Sequence, residues 1–331
     1  MSSSLDTSSG SNKLLSSRNI IYAGITWSVL ALISFVLFAL IPSEQDSPII
    51  YLIDTYILEC LPFLGAALLC FRNANSPKIA SGRNVWLGIG LGALSYFTAN
   101  LIFGWWELYW ELDPDVSPAD LFYIAFYSLL SWGMVLAILP RRLNLEKWQW
   151  IVLGSIAVVG TALAVWIAIA PPLEDELEVE NQPVTEQVEI VTSSSLIPEE
   201  ETEAIGGHEA PQWVMSLEDT LSPLARPINF FYIIGDLALV IIATTLLLAY
   251  WGGAYASSWR MIGGATFALY IADMWFKYAA TLPTEYQSGA LLEVFFVFSG
   301  VLFGIGAILE YEISNRPRQR GRGRRKRAAK D

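Results

Sequence analysis

Asp54, Asn100 and Asp120 recur as Asp236, Asp273 and Glu293 in the second half of this 331-residue chain, and both sets sit inside long apolar runs. An ionisable side chain at the centre of a membrane helix costs about 2.5–3.5 kcal/mol on insertion scales, so each is a site candidate by default. Glu59 lies deeper, one turn before Pro62, and Lys277 follows Asp273 by four residues, where it can pair with it on one helical face. The chemistry on offer is a polar pocket or a hydrogen-bond network between helices. Two plainer roles compete with it. Asp120, after Pro118, and Glu293 sit near helix N-termini, where the macrodipole alone stabilises a carboxylate. A buried polar network can also be purely structural.

Other chemistry is scarce. His208 is the only histidine and sits in a polar segment, so His-based triads and multi-His metal sites are excluded. Cys60 and Cys70 lie in apolar runs, where free Cys behaves as a small hydrophobe, and two Cys give no metal spacing. No phosphate-loop, zinc-protease or nucleophile-elbow motif occurs, and Gly88, Gly90 and Gly92 read as helix-packing positions. The expectation is a protein without catalytic residues, metal or cofactor.

The elements that position these residues are membrane helices. The chain is 54% hydrophobic and only 16% charged, with mean hydropathy +0.45 and 13 Trp, which points away from a soluble domain. The net charge of −12 belongs to one segment: fourteen acids lie between Glu174 and Asp219, and without them the charge is +2. Eight runs can cross about 30 Å of hydrocarbon: 20–41, 49–71, 85–106, 118–139, 149–170, 228–250, 259–280 and 289–309. The first has spanning length and reads as an uncleaved signal anchor.

Loop charges give one orientation. Lys13, Arg18, Arg72, Lys78, Arg83, Arg141, Arg142, Lys147, Arg260 and the tail fall on one side; Glu44, Asp46, Glu111, Asp113, Asp115 and Glu285 fall on the other. By the positive-inside rule both termini are cytoplasmic. The expected layout is a Ser-rich N-terminus at 1–19, five helices over 20–170, an acidic disordered extracytoplasmic segment at 171–227, three helices over 228–310 and a basic cytoplasmic tail at 311–331. The acidic segment reads as a solvated spacer, with residues 213–221 as a short interfacial helix. The tail, nine basic residues from Arg316 to Lys330 without an aromatic, reads as topogenic and anionic-lipid-binding; nucleic acid is not expected.

Laying 86–136 on 259–309 matches Trp86 with Trp259, Gly133 with Gly306 and Asn100 with Asp273. In both copies the Trp precedes the first polar residue by 14 positions, and that residue precedes the next acid by 20. The fold expected is therefore an all-α integral membrane protein of about eight helices. Two parallel three-helix repeats flank a connecting fifth span, a 3+1+3 bundle preceded by one extra helix. All six recurring residues then lie in the outer half of the bilayer.

The string Pro118-Ala119-Asp120-Leu121-Phe122-Tyr123, with Tyr127 four residues on, resembles a helix start in the multi-pass N-terminal sensory regions of bacterial and archaeal signalling proteins, those with diguanylate cyclase or histidine kinase outputs. Gly235-Asp236 and the Asp273 region are similar to that group. Ser128 stands where a Pro often follows the Tyr, and no output domain follows Leu309. The resemblance implies a prokaryotic cell membrane and sensing within the membrane region through a separate partner protein. A small-solute or ion transporter and a scaffold subunit are the alternatives.

Overall fold

The computed structural model describes residues 16–40, 49–110, 112, 116–140, 146–169, 210–253, 255–279 and 289–316. The Ser-rich start, most of the acidic segment, several short loops and all of the basic tail after Arg316 lie outside the described residues. Among the described residues there are only helices: α1 (Ser17–Phe38), α2 (Ile49–Ala74), α3 (Arg83–Trp110), α4 (Ala119–Ile138), α5 (Lys147–Ile169), α6 (Gln212–Leu221), α7 (Ala225–Ala249), α8 (Ala256–Ala279) and α9 (Val294–Asn315). A 3₁₀ turn joins α6 to α7, making one run from Gln212 to Ala249, and another precedes α9.

Six of these runs are long and apolar enough to cross a membrane, so this is a helical membrane protein. The other two expected spans correspond to α5 and α8. Helix α5 runs 23 residues from Lys147 to Ile169. The 24-residue α8 is long enough, at about 1.5 Å per residue, but its composition is less apolar. Ser258, Thr266, Asp273 and Lys277 are among its residues, and those with described partners bond to neighbouring helices or to the α8 backbone.

Helices α2, α3, α4, α7, α8 and α9 close into a ring in that order, with α9 returning to α2. Outside it, α1 packs on α9 and α2, and α5 packs on α7 and α8. Both outer helices turn apolar side chains such as Val29, Leu37, Ile151 and Val158 to the exterior, as lipid-facing helices do. Side chains fill the ring. Trp86 of α3 and Trp259 of α8 stack across its centre, ring centroids 5.8 Å apart, and both are fully buried. Above them Phe63, Tyr96, Phe126, Phe296 and Phe303 make a continuous aromatic layer.

Close backbone approach holds the ring where lipid supplies no hydrophobic drive between helices. A Cβ on Gly133 would lie 2.9 Å from the Ile89 nitrogen and the Val85 carbonyl oxygen; one on Gly306 would lie 3.2 Å from the Ser258 oxygen and 2.6 Å from Ile262. Each residue of the second contact lies 173 positions after its counterpart in the first. Gly133→Ala is expected to destabilise the protein by about 1–3 kcal/mol, since the obstruction is backbone. Gly154→Ala on α5 meets nothing within 4 Å and is expected to be neutral or stabilising by up to about 1 kcal/mol. Equilibrium unfolding in mixed micelles would check both.

One end of the ring is latched. Ser81 Oγ donates to Glu310 (2.8 Å), Trp86 Nε1 donates to Ser81 Oγ (2.7 Å), and Asn73 Nδ2 donates to the Ala307 carbonyl (2.8 Å). Arg72 stacks on the Tyr311 ring at 4.0 Å. The recurring polar residues sit at the other end.

Candidate functional site

Four helices each bring a pair of polar side chains one turn apart, an i, i+4 spacing that sets both on one face. The pairs are Tyr96 and Asn100 on α3, Tyr123 and Tyr127 on α4, Tyr232 and Asp236 on α7, and Asp273 and Lys277 on α8. Glu59 of α2 and Asp120 of α4 complete the set. Because α3 and α8 run opposite to α2, α4 and α7, all of these meet at one end of the ring.

Glu59 accepts hydrogen bonds from Tyr96 Oη (2.6 Å) and Asn100 Nδ2 (2.7 Å), and Asn100 Oδ1 accepts one from Tyr123 Oη (2.6 Å). Across the ring, Tyr127 Oη donates to Asp236 Oδ1 at 2.5 Å and lies 3.0 Å from Asp273 Oδ2. Lys277 Nζ forms an ion pair with Asp236 Oδ2. The Lys277 ammonium also lies 5.9 Å from the centre of the Tyr232 ring, within cation–π range. Tyr232 Oη donates to Asp120, whose other oxygen accepts the Ser117 backbone N–H at 2.7 Å. Tyrosine rings join the two halves: Tyr96 to Tyr123 at 5.6 Å, Tyr123 to Tyr232 at 6.5 Å, Tyr232 to Tyr127 at 5.7 Å.

Asp236 is 1% exposed and Asn100 3%, while Lys277 keeps 16%. Burying carboxylates costs heavily unless each is paired and hydrogen-bonded, and the tyrosine hydroxyls supply those bonds. Four carboxyl groups, those of Glu59, Asp120, Asp236 and Asp273, stand in the cluster with one ammonium, that of Lys277, which pairs with Asp236; Glu59 and Asp120 are held by neutral donors instead. Among the described residues no three His, Cys, Asp or Glu side chains converge as a metal-ligand set.

Six of the eight sequence candidates thus converge: Glu59, Asn100, Asp120, Asp236, Asp273 and Lys277. Two do not. Asp54 turns outward and accepts a hydrogen bond from Ser34 of α1 at 2.6 Å. Glu293 accepts the Gly289 backbone N–H at 2.8 Å, fixing the entry to α9. Lys277 forms its ion pair with Asp236 of the neighbouring helix, whereas the sequence spacing pointed to Asp273. The four tyrosines, of which Tyr123 and Tyr127 belong to the motif at the start of α4, are site residues that the sequence candidates do not include. The signal was the i, i+4 polar pairing within apolar runs, which recurs on four helices. The short helix at 213–221 is present as α6, and its Trp213 packs edge-on to Trp106 and Trp110 at the end of α3. Compared with known proteins, the chain matches no family model, no curated protein and no solved structure.

Proposed function

We propose that the protein is a non-enzymatic sensory module that binds a small solute in the polar cluster, from the extracytoplasmic side, and acts through a partner protein. The observation that carries this is the convergence of six polar residues from five helices on one end of the ring. The layout it implies has eight crossings, two three-helix repeats joined by α5, and both termini in the cytoplasm of a prokaryotic cell. The matched contacts at Gly133 and Gly306 support the repeat, as does the meeting of Trp86 and Trp259 at the ring centre. The resemblance of residues 118–123 to membrane sensory regions supports the role.

The aromatic layer beneath the cluster, the Trp86–Trp259 stack below it and the latch at Ser81 and Glu310 favour sensing over transport. A solute would have to pass all three to cross. Affinity purification of the tagged full chain from its membrane, with mass spectrometry of what accompanies it, is the test. Recovery of a kinase, a cyclase or another signalling protein is the expected result. Solute flux in proteoliposomes would overturn the reading in favour of a transporter. Recovery only within a large assembly would overturn it in favour of a scaffold.

A further inference from the structure

We infer that the cluster is an alkylammonium seat, that Lys277 fills it in the resting protein, and that the solute is a primary organic amine which displaces that side chain. This rests on the reading of the cluster as a solute site and adds the ligand's chemistry. Three observations lead there. The first is the occupant. The Lys277 ammonium sits on Asp236 and faces the Tyr232 ring, the combination of carboxylate and aromatic face that recognises amines. It reaches the seat on a flexible stem from the last turn of α8, and it keeps 16% exposure. A tethered ammonium that is not sealed in can be exchanged for a free one.

The second is charge. Around the seat stand Asp236 and Tyr232 from α7, Asp273 from α8, and Asp120, Tyr123 and Tyr127 from α4, with Glu59, Tyr96 and Asn100 from α2 and α3 behind them. Lys277 is the only cation among these groups and is already paired with Asp236, so an anionic solute meets four carboxyl groups and one ammonium that is taken. The third is an orphan donor. Ser299 of α9 is fully buried, and its hydroxyl has no hydrogen-bond partner among the described residues. It lies between Phe296, against Tyr96, and Phe303, against Phe63, and so faces the ring interior at the aromatic layer under the cluster. A buried hydroxyl without a partner is a position a polar ligand atom satisfies.

The probe is n-butylammonium, which reproduces the Lys277 side chain, with n-butanol and n-butyrate as neutral and anionic controls. Purified full-length protein in micelles is titrated by thermal shift. Wild type is expected to show a saturable rise in Tm with n-butylammonium alone. Lys277→Met is expected to bind it about tenfold more tightly or better, because a tethered competitor acts at an effective concentration in the millimolar range. Asp236→Asn is expected to lose the response. Should Lys277→Met fail to fold, Lys277→Gln and wild type carry the same comparison. Equal or weaker binding after removal of Lys277 would overturn the displacement. An Asp236-dependent response to n-butyrate or n-butanol would overturn the amine assignment and leave the solute site standing. No response to any probe would overturn the amine assignment, and unchanged recovery of the partner protein with Asp236→Asn would overturn the solute site with it.

Discussion

Asp236→Asn is expected to cost about 3 kcal/mol of unfolding free energy. Removing one partner of a buried ion pair leaves an uncompensated charge at about 3–5 kcal/mol. The low end applies here because Lys277 retains some exposure and Asp273 stands beside it. Tyr127 would lose its 2.5 Å acceptor at the same stroke. In the double variant Asp236→Asn, Lys277→Met the stranded charge is gone, so most of the loss should return. Asp273→Asn should cost less, since its bond to Tyr127 is the longer of the two. Glu218→Gln, on the partly exposed face of α6, should fall within about 0.5 kcal/mol of wild type. Unfolding titrations in mixed micelles measure all four. A double variant no more stable than Asp236→Asn would mean that Lys277 is not the group left stranded.

Deleting 316–331 is expected to reduce binding to anionic liposomes by orders of magnitude at low salt. Nine basic residues each contribute roughly 1 kcal/mol near such a surface. The difference should shrink at high salt as the Debye length falls to about 3 Å. Deleting 175–210, by contrast, should leave the membrane region folded, because a segment so poor in apolar residues adds little to any core and flexible connections tolerate changes of length. Liposome co-sedimentation and thermal unfolding check the two deletions. Unchanged lipid binding without the tail would point to a protein partner for it.

Apolar length and composition were enough to read the helical membrane character and the segments that form the ring. They also drew attention to Asp236, Asp273, Asn100 and Glu59, since a carboxyl or amide in such a run stands out from its neighbours. Periodicity places a residue on a face of its own helix, but it cannot say which neighbour that face meets. Lys277 is one turn from Asp273 and yet reaches Asp236, because the face the two α8 residues share is turned toward α7. Asp54 looked like the counterpart of Asp236 by its place near the outer end. Gly235 packs on Tyr127 as Pro62 packs on Gly300, Gly235 lying 173 positions after Pro62 and Gly300 173 after Tyr127, and on that spacing Asp236 matches Phe63 instead. Tyr96 and Tyr232 do not stand out in the sequence because aromatic side chains are ordinary in a membrane helix; only their hydroxyl partners on other helices mark them out. Glu310, near the end of the last helix, gave no sign that Ser81 would close over it.

Opening of the cluster to the extracytoplasmic side is tested most directly by placing a cysteine at its mouth, Tyr232→Cys on a Cys60→Ala, Cys70→Ala background, and exposing intact cells to a membrane-impermeant cationic thiosulfonate. Tyr232 is half-buried and borders both Lys277 and Asp120, so the reagent's charge suits the site. Modification in intact cells is the predicted result. Modification only after permeabilisation would contradict the account, placing the cluster on the cytoplasmic side.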